Sequence, residues 1–116
     1  MSAASATSLR RARQVAPLFA ALGDETRLGL LARLSSGRPT SIAALSERAT
    51  ISRQAIRKHL EVLSDAGLVK GTREGREHLW TLEPSRLADA RGYLDAIGRQ
   101  WDDALARLAA FVEDDG

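Results

Sequence analysis

Ser52-Arg53-Gln54-Ala55-Ile56-Arg57-Lys58-His59-Leu60-Glu61-Val62-Leu63-Ser64-Asp65-Ala66-Gly67 is the stretch on which the fold of this chain turns. Its apolar positions Ile56, Leu60 and Leu63 recur at helical spacing, which predicts a helix from Arg53 to about Ala66 with one buried face. Ser52 is placed to cap that helix, and Gly67 stands where a helix end favours left-handed φ. Arg53, Gln54, Arg57 and Lys58 fall at i, i+1, i+4 and i+5, so they share a polar face opposite the apolar one. Three of these four are cationic, and no acid precedes Glu61.

Working outward, Thr40 or Ser41 caps a shorter helix that carries Ile42, Leu45 and Ala49 on one side, and Ala49-Thr50-Ile51 is the turn between the two. Two helices joined by so short a turn form a helix-turn-helix. Downstream, Leu68 to Arg73 and Glu77 to Leu82 read as strands, and Glu74-Gly75-Arg76 supplies the glycine of a tight hairpin. A hairpin in that position, residues 68–82, is a wing; Trp80 packs at its base. Upstream, Val15, Leu18, Phe19 and Leu22 make one apolar stripe on a helix from about Ser8 to Leu22. Asp24 then caps a helix from Glu25 to about Leu34, with Leu28, Leu31 and Leu34 directed inward.

Pro84 opens a final helix running over about 84–113, where its missing N–H does no harm. Leu87, Ala90, Leu94, Ile97, Trp101, Ala104, Leu108 and Phe111 alternate steps of three and four along it. So long a seam exceeds what a small body can cover, and self-association accounts for it. The predicted fold is mainly α with a small β-hairpin wing: a winged helix-turn-helix that self-associates through its last helix. Residues 1–8 are expected to be a loose tail and 9–116 a single domain.

Composition narrows the chemistry. The chain has 116 residues, enough for one domain with a thin margin of buried surface. It contains no cysteine, which removes disulfides, thiolate metal sites and a cysteine nucleophile. Residues 1–83 carry a net charge of +5, whereas residues 84–116 carry −3. A basic body joined to an acidic helix suggests a face for a polyanion and another for a different contact. No apolar run approaches the roughly 18–20 residues of a membrane span, so a soluble cytoplasmic chain without membrane contact is expected. No nucleophile–base set or phosphate-cradling glycine loop is visible, so an enzyme is not expected.

Four stretches, Ala21-Leu22-Gly23-Asp24-Glu25-Thr26-Arg27-Leu28, Ser52–Leu60, Val62–Val69 and Arg73-Glu74-Gly75-Arg76, resemble the ArsR family of bacterial repressors in order and spacing. The similarity spans roughly residues 15–113. It implies a homodimeric winged helix protein that binds an inverted-repeat operator in double-stranded DNA, usually to repress. It also implies a dimer interface from the first and last helices, here Val15, Leu18, Phe19, Leu94, Ile97, Trp101, Leu105 and Leu108. The chain departs from the metal-sensing branch. The segment where that branch has its cysteines reads Thr40-Ser41-Ile42-Ala43-Ala44-Leu45, and residues 84–116 contain no histidine. No metal and no cofactor are therefore expected. The Trp-containing last helix looks closer to the metal-free branch.

In a helix-turn-helix the second helix, here residues 52–66, enters the major groove. Arginine pairs with guanine and glutamine with adenine, so Arg53, Gln54, Arg57 and Lys58 are the candidate readers. Ser52 and Thr40 are candidate phosphate donors at helix N-termini. His59 packs on a neighbouring helix or approaches the backbone of the DNA, and Arg73 and Arg76 of the wing reach phosphate or the minor groove. Two other readings use the same fold. One is a protein-interaction module without specific DNA binding; the other is a sensor for a small-molecule effector of unknown identity.

Overall fold

The computed structural model describes residues 3–115, and the side chains of residues 9–113. In chain order the elements are α1 (Ala3–Leu22), α2 (Glu25–Leu34), β1 (Thr40–Ser41), α3 (Ile42–Ser46), α4 (Arg53–Asp65), β2 (Val69–Glu74), β3 (Glu77–Leu82) and α5 (Pro84–Asp115). The first helix starts at Ala3, earlier than the expected start near Ser8. The reason lies in Ala3-Ala4-Ser5-Ala6, which has high helix propensity and no glycine or proline to stop the helix. Most of the tail expected over residues 1–8 is thus continuous with α1, while residues 1 and 2 lie outside the described residues.

Local chemistry sets the boundaries of the inner helices. Asp24 caps α2 by accepting from the Arg27 N–H at 3.0 Å. Ser41 caps α3 through Ala44 N–H, and Ser52 caps α4 through Ala55 N–H, each at 3.1 Å. The end of α4 is closed by Gly67 at φ 79°. There Gly67 N–H donates to Ser64 O and Leu68 N–H to Leu63 O, both at 2.9 Å, which satisfies carbonyls that the helix leaves open.

The sheet has three antiparallel strands in the order β1-β3-β2. The wing hairpin pairs Val69 with Leu82 through to Glu74 with Glu77, and Gly75 turns it at φ 61°. The third strand, β1, was not expected. It is only two residues long and pairs Thr40 with Trp80 and Ser41 with Leu79, so it exists only because β3 lies alongside it.

The core gathers α1, α2, α3, α4 and the base of the wing. Leu18, Leu34, Leu45, Ile56, Leu60, Leu63 and Leu68 are fully buried, each contributing about 1.5–3 kcal/mol of apolar burial. Trp80 is also buried, as expected for the base of the wing. Leu28, expected inward, is exposed, and Leu30 takes its place beside Leu31 and Leu34. Val15 and Leu18 belong to this core as well. Within the single chain, the stripe of α1 packs against α2, α4 and α5.

Only the first half of α5 joins this body. Leu87 and Tyr93 pack against the core, Ala90 is buried in it, and Tyr93 meets Phe19 with ring centroids 6.2 Å apart. Beyond that the helix projects, giving principal extents of 68 × 31 × 21 Å and a radius of gyration of 19.5 Å. A compact chain of this length would have about 13 Å.

Candidate nucleic-acid interface

Arg53, Gln54, Arg57 and Lys58 lie on the first turns of α4 and are all exposed. The buried Ile56, Leu60 and Leu63 hold the opposite face of the same helix, so this exposed polar face has a fixed azimuth. The wing stands beside it. A cleft of about 230 Å³ lies between the start of α3, α4 and the hairpin, lined by Ile42, Arg57, Arg73, Arg76, Glu77 and His78 among others. Arg57 and the two wing arginines therefore border one concavity although they are more than a dozen residues apart in sequence. Among the described residues, no ion pair engages Arg53, Arg57, Lys58, Arg73 or Arg76. Their charge is uncommitted, which is what recognition of a polyanion needs.

Two expected members of this surface make contacts within the chain. Thr40 is not the cap of α3; it is half-buried in β1 and its Oγ1 donates to Arg38 O at 3.0 Å. The cap is Ser41, because pairing with β3 holds the chain extended through both residues and starts the helix one residue later. His59 turns from the exposed polar face toward α2, with Nδ1 3.2 Å from Arg27 Nη1 and 3.8 Å from Asp24 Oδ2. Of the two placements expected for His59, packing on a neighbouring helix is the contact seen within the chain. Ser52 remains exposed at the start of α4 with its hydroxyl occupied as a cap.

His78, on a wing strand, and Ser41, which the sequence offers only as a cap, both lie on the wall of the cleft. His78 stacks on Trp80 with centroids 4.6 Å apart, a placement its i, i+2 spacing from Trp80 on a strand could have suggested. The second surface runs along α5 from Leu94 to its outer end. Leu94, Trp101, Leu105 and Leu108 are exposed there, Trp101 to 65 %, and Ile97 is half-buried. Phe111 and Val112 extend the same exposed apolar face. Phe19 is half-buried against the core.

A family model described as a helix-turn-helix domain matches residues 22–72. The HTH-type transcriptional regulator Rv2034 of Mycobacterium tuberculosis is 35 % identical over 96 residues, covering 83 % of this chain and 86 % of that protein. An ArsR-like transcriptional regulator from Rhodococcus sp. RHA1, whose structure is solved, superposes with a TM-score of 0.80. It is 36 % identical, with 91 % of this chain and 96 % of that one covered. The chain belongs to the ArsR family. This ArsR-family protein is a DNA-binding transcriptional regulator with a winged helix-turn-helix, and it is not an enzyme. A probable mercury resistance operon repressor of Streptomyces lividans is also similar, 39 % identical over 74 residues, or 64 % of this chain and 58 % of that protein. Among the described residues of the ArsR-family chain, no group of three His, Cys, Asp or Glu side chains is placed to hold a metal ion. No helix of the described residues is long and apolar enough to cross a membrane.

Proposed function

We propose that the chain is a cytoplasmic homodimeric repressor that binds an inverted-repeat operator in double-stranded DNA without a metal or other cofactor. The observation that carries this reading is the row of uncommitted cations and one amide on α4, Arg53, Gln54, Arg57 and Lys58, beside the wing arginines. The first turns of α4 enter the major groove, where arginine and glutamine pair bidentately with guanine and adenine. Arg73 and Arg76 follow the backbone or the minor groove, and Ser52 meets a phosphate at the N-terminus of α4.

Two copies join through α5. Its exposed Leu94, Trp101, Leu105 and Leu108, with the half-buried Ile97, form a seam that water disfavours and that a second copy would cover. Phe19 supports the root of that seam through Tyr93. Repression is supported by the relative named as a probable mercury resistance operon repressor. Residues 9–116 act as one DNA-binding unit.

The test is selection of bound genomic fragments at one fixed salt concentration, since phosphate contacts make affinity fall steeply with ionic strength. Wild type is expected to enrich an inverted repeat with half-sites about one helical turn apart. Arg53→Ala and Arg57→Ala are each expected to relax preference at a separate position of the half-site. Folded wild-type protein that enriches no sequence would overturn the proposal.

A further inference from the structure

Arg27 joins three elements at one point. Its backbone N–H donates to Asp24, the cap of α2. Its Nε donates to Ala21 O at 2.6 Å and its Nη2 to Ala20 O at 3.4 Å, both in the last turn of α1. Those carbonyls sit at the negative end of the α1 dipole, where a guanidinium is favoured. The remaining donor, Nη1, reaches His59 Nδ1 at 3.2 Å, on the helix that carries the reading face. Arg27 and His59 are 32 residues apart in sequence.

The chemistry of this contact is one-directional. A guanidinium only donates, so the imidazole must offer its Nδ1 lone pair and carry its proton on Nε2. Asp24 Oδ2, at 3.8 Å from the same nitrogen, would need the proton on Nδ1 instead. The shorter contact selects the acceptor form. We propose that Arg27 is a positioning residue for DNA reading: through His59 it fixes the azimuth of α4 relative to α1. This rests on α4 being the reading helix. Lys58 directly precedes His59, so a twist that releases the imidazole swings Gln54, Arg57 and Lys58 together.

The consequence is selective. A charge on a phosphate weakens only slowly with distance, but a bidentate pair to a base tolerates displacements of a few tenths of an ångström. Loss of the tie should therefore erode discrimination before it erodes total affinity. α1 also packs against α5, so the tie links the reading face to the helix of the proposed dimer seam.

The experiment compares wild type with Arg27→Met, His59→Leu and His59→Asn, whose Oδ1 can replace Nδ1 as acceptor. Affinities are measured for the selected operator and for scrambled DNA, with thermal unfolding as the check on folding. The expected result is an operator-to-scrambled ratio lowered about tenfold in Arg27→Met and His59→Leu, the size of one hydrogen bond to a charged group. Scrambled-DNA affinity should hold, and His59→Asn should recover most of the ratio. A merely structural role would lower the melting temperature and weaken both DNAs equally, which would overturn the proposal. So would a folded His59→Leu that discriminates like wild type. The 15N shifts of the neutral His59 ring give a readout that needs no DNA. Protonated Nε2 in wild type, lost in Arg27→Met, is expected; protonated Nδ1 in wild type overturns the link. If wild type selects no operator, the reading of α4 fails, and the ring measurement still decides the link.

Discussion

Gly71 faces Trp80 across the wing, and a Cβ built on it would lie 2.6 Å from His78 Nε2 and 3.0 Å from Trp80 Cζ3. The stacked rings leave little room to retreat, so Gly71→Ala should destabilise the fold by about 1–3 kcal/mol, the usual cost of overpacking. Chemical denaturation measures this, and an unchanged midpoint would show that the rings move freely. Asp24 is a second residue with a measurable signature. Its carboxyl is held below the ordinary carboxylate range, chiefly by the hydrogen bond from Arg27 N–H, with partial desolvation opposing and the Arg27 guanidinium reinforcing. A lowered folded pKa means that the ionised form stabilises the fold fully above the ordinary aspartate value. That contribution is lost as pH falls from there through the folded value. Asp24→Asn keeps a capping oxygen but cannot titrate. Its urea stability should lie below wild type at neutral pH and converge with it in acid; parallel curves would refute the linkage. Caps such as Asp24 and Ser52 were legible because capping is a contact over three residues. The packing of Thr40 and His59 was not, since β3 and Arg27 decide it from 40 and 32 residues away.

At the level of elements, the periodicity of apolar residues was sufficient for α2, α4, the wing strands and α5, whose ends agree with expectation to within a residue or two. Where several stripes were available it was not sufficient. Leu28, Leu30, Leu31 and Leu34 offer two overlapping faces on α2, and only packing against α4 and β3 makes Leu30 the buried one. The strand β1 has no periodicity to read, being two residues long. Gly29 offers a clean test of the intrinsic propensity of α2. It is exposed, and a Cβ there meets nothing within 4 Å. Gly29→Ala should therefore stabilise the chain by about 0.5–1 kcal/mol through lower backbone entropy in the unfolded state. A lower thermal midpoint would mean that the open groove beside Gly29, bounded by Arg33 and Arg48, depends on its small size.

For the whole molecule, the decisive feature is a 32-residue α5 whose outer half stands clear of the body with its apolar residues in water. Trp101→Asp should convert the proposed dimer to monomers in sedimentation. It should also lower operator affinity by about a hundredfold or more, because two half-site readers would no longer be tethered. A dimer of normal strength would remove Trp101 from the seam. Element types, the cationic stripe of α4 and the apolar seam of α5 follow from residue order alone, because each depends on spacings within a few helical turns. Which stripe each helix spends on its own core is a property of the folded chain. Val15 and Leu18 went inward, Leu28 outward, and His59 toward Arg27, because burial is settled by partners distant in sequence. Local periodicity marks an apolar or polar face; only the tertiary structure assigns that face a neighbour.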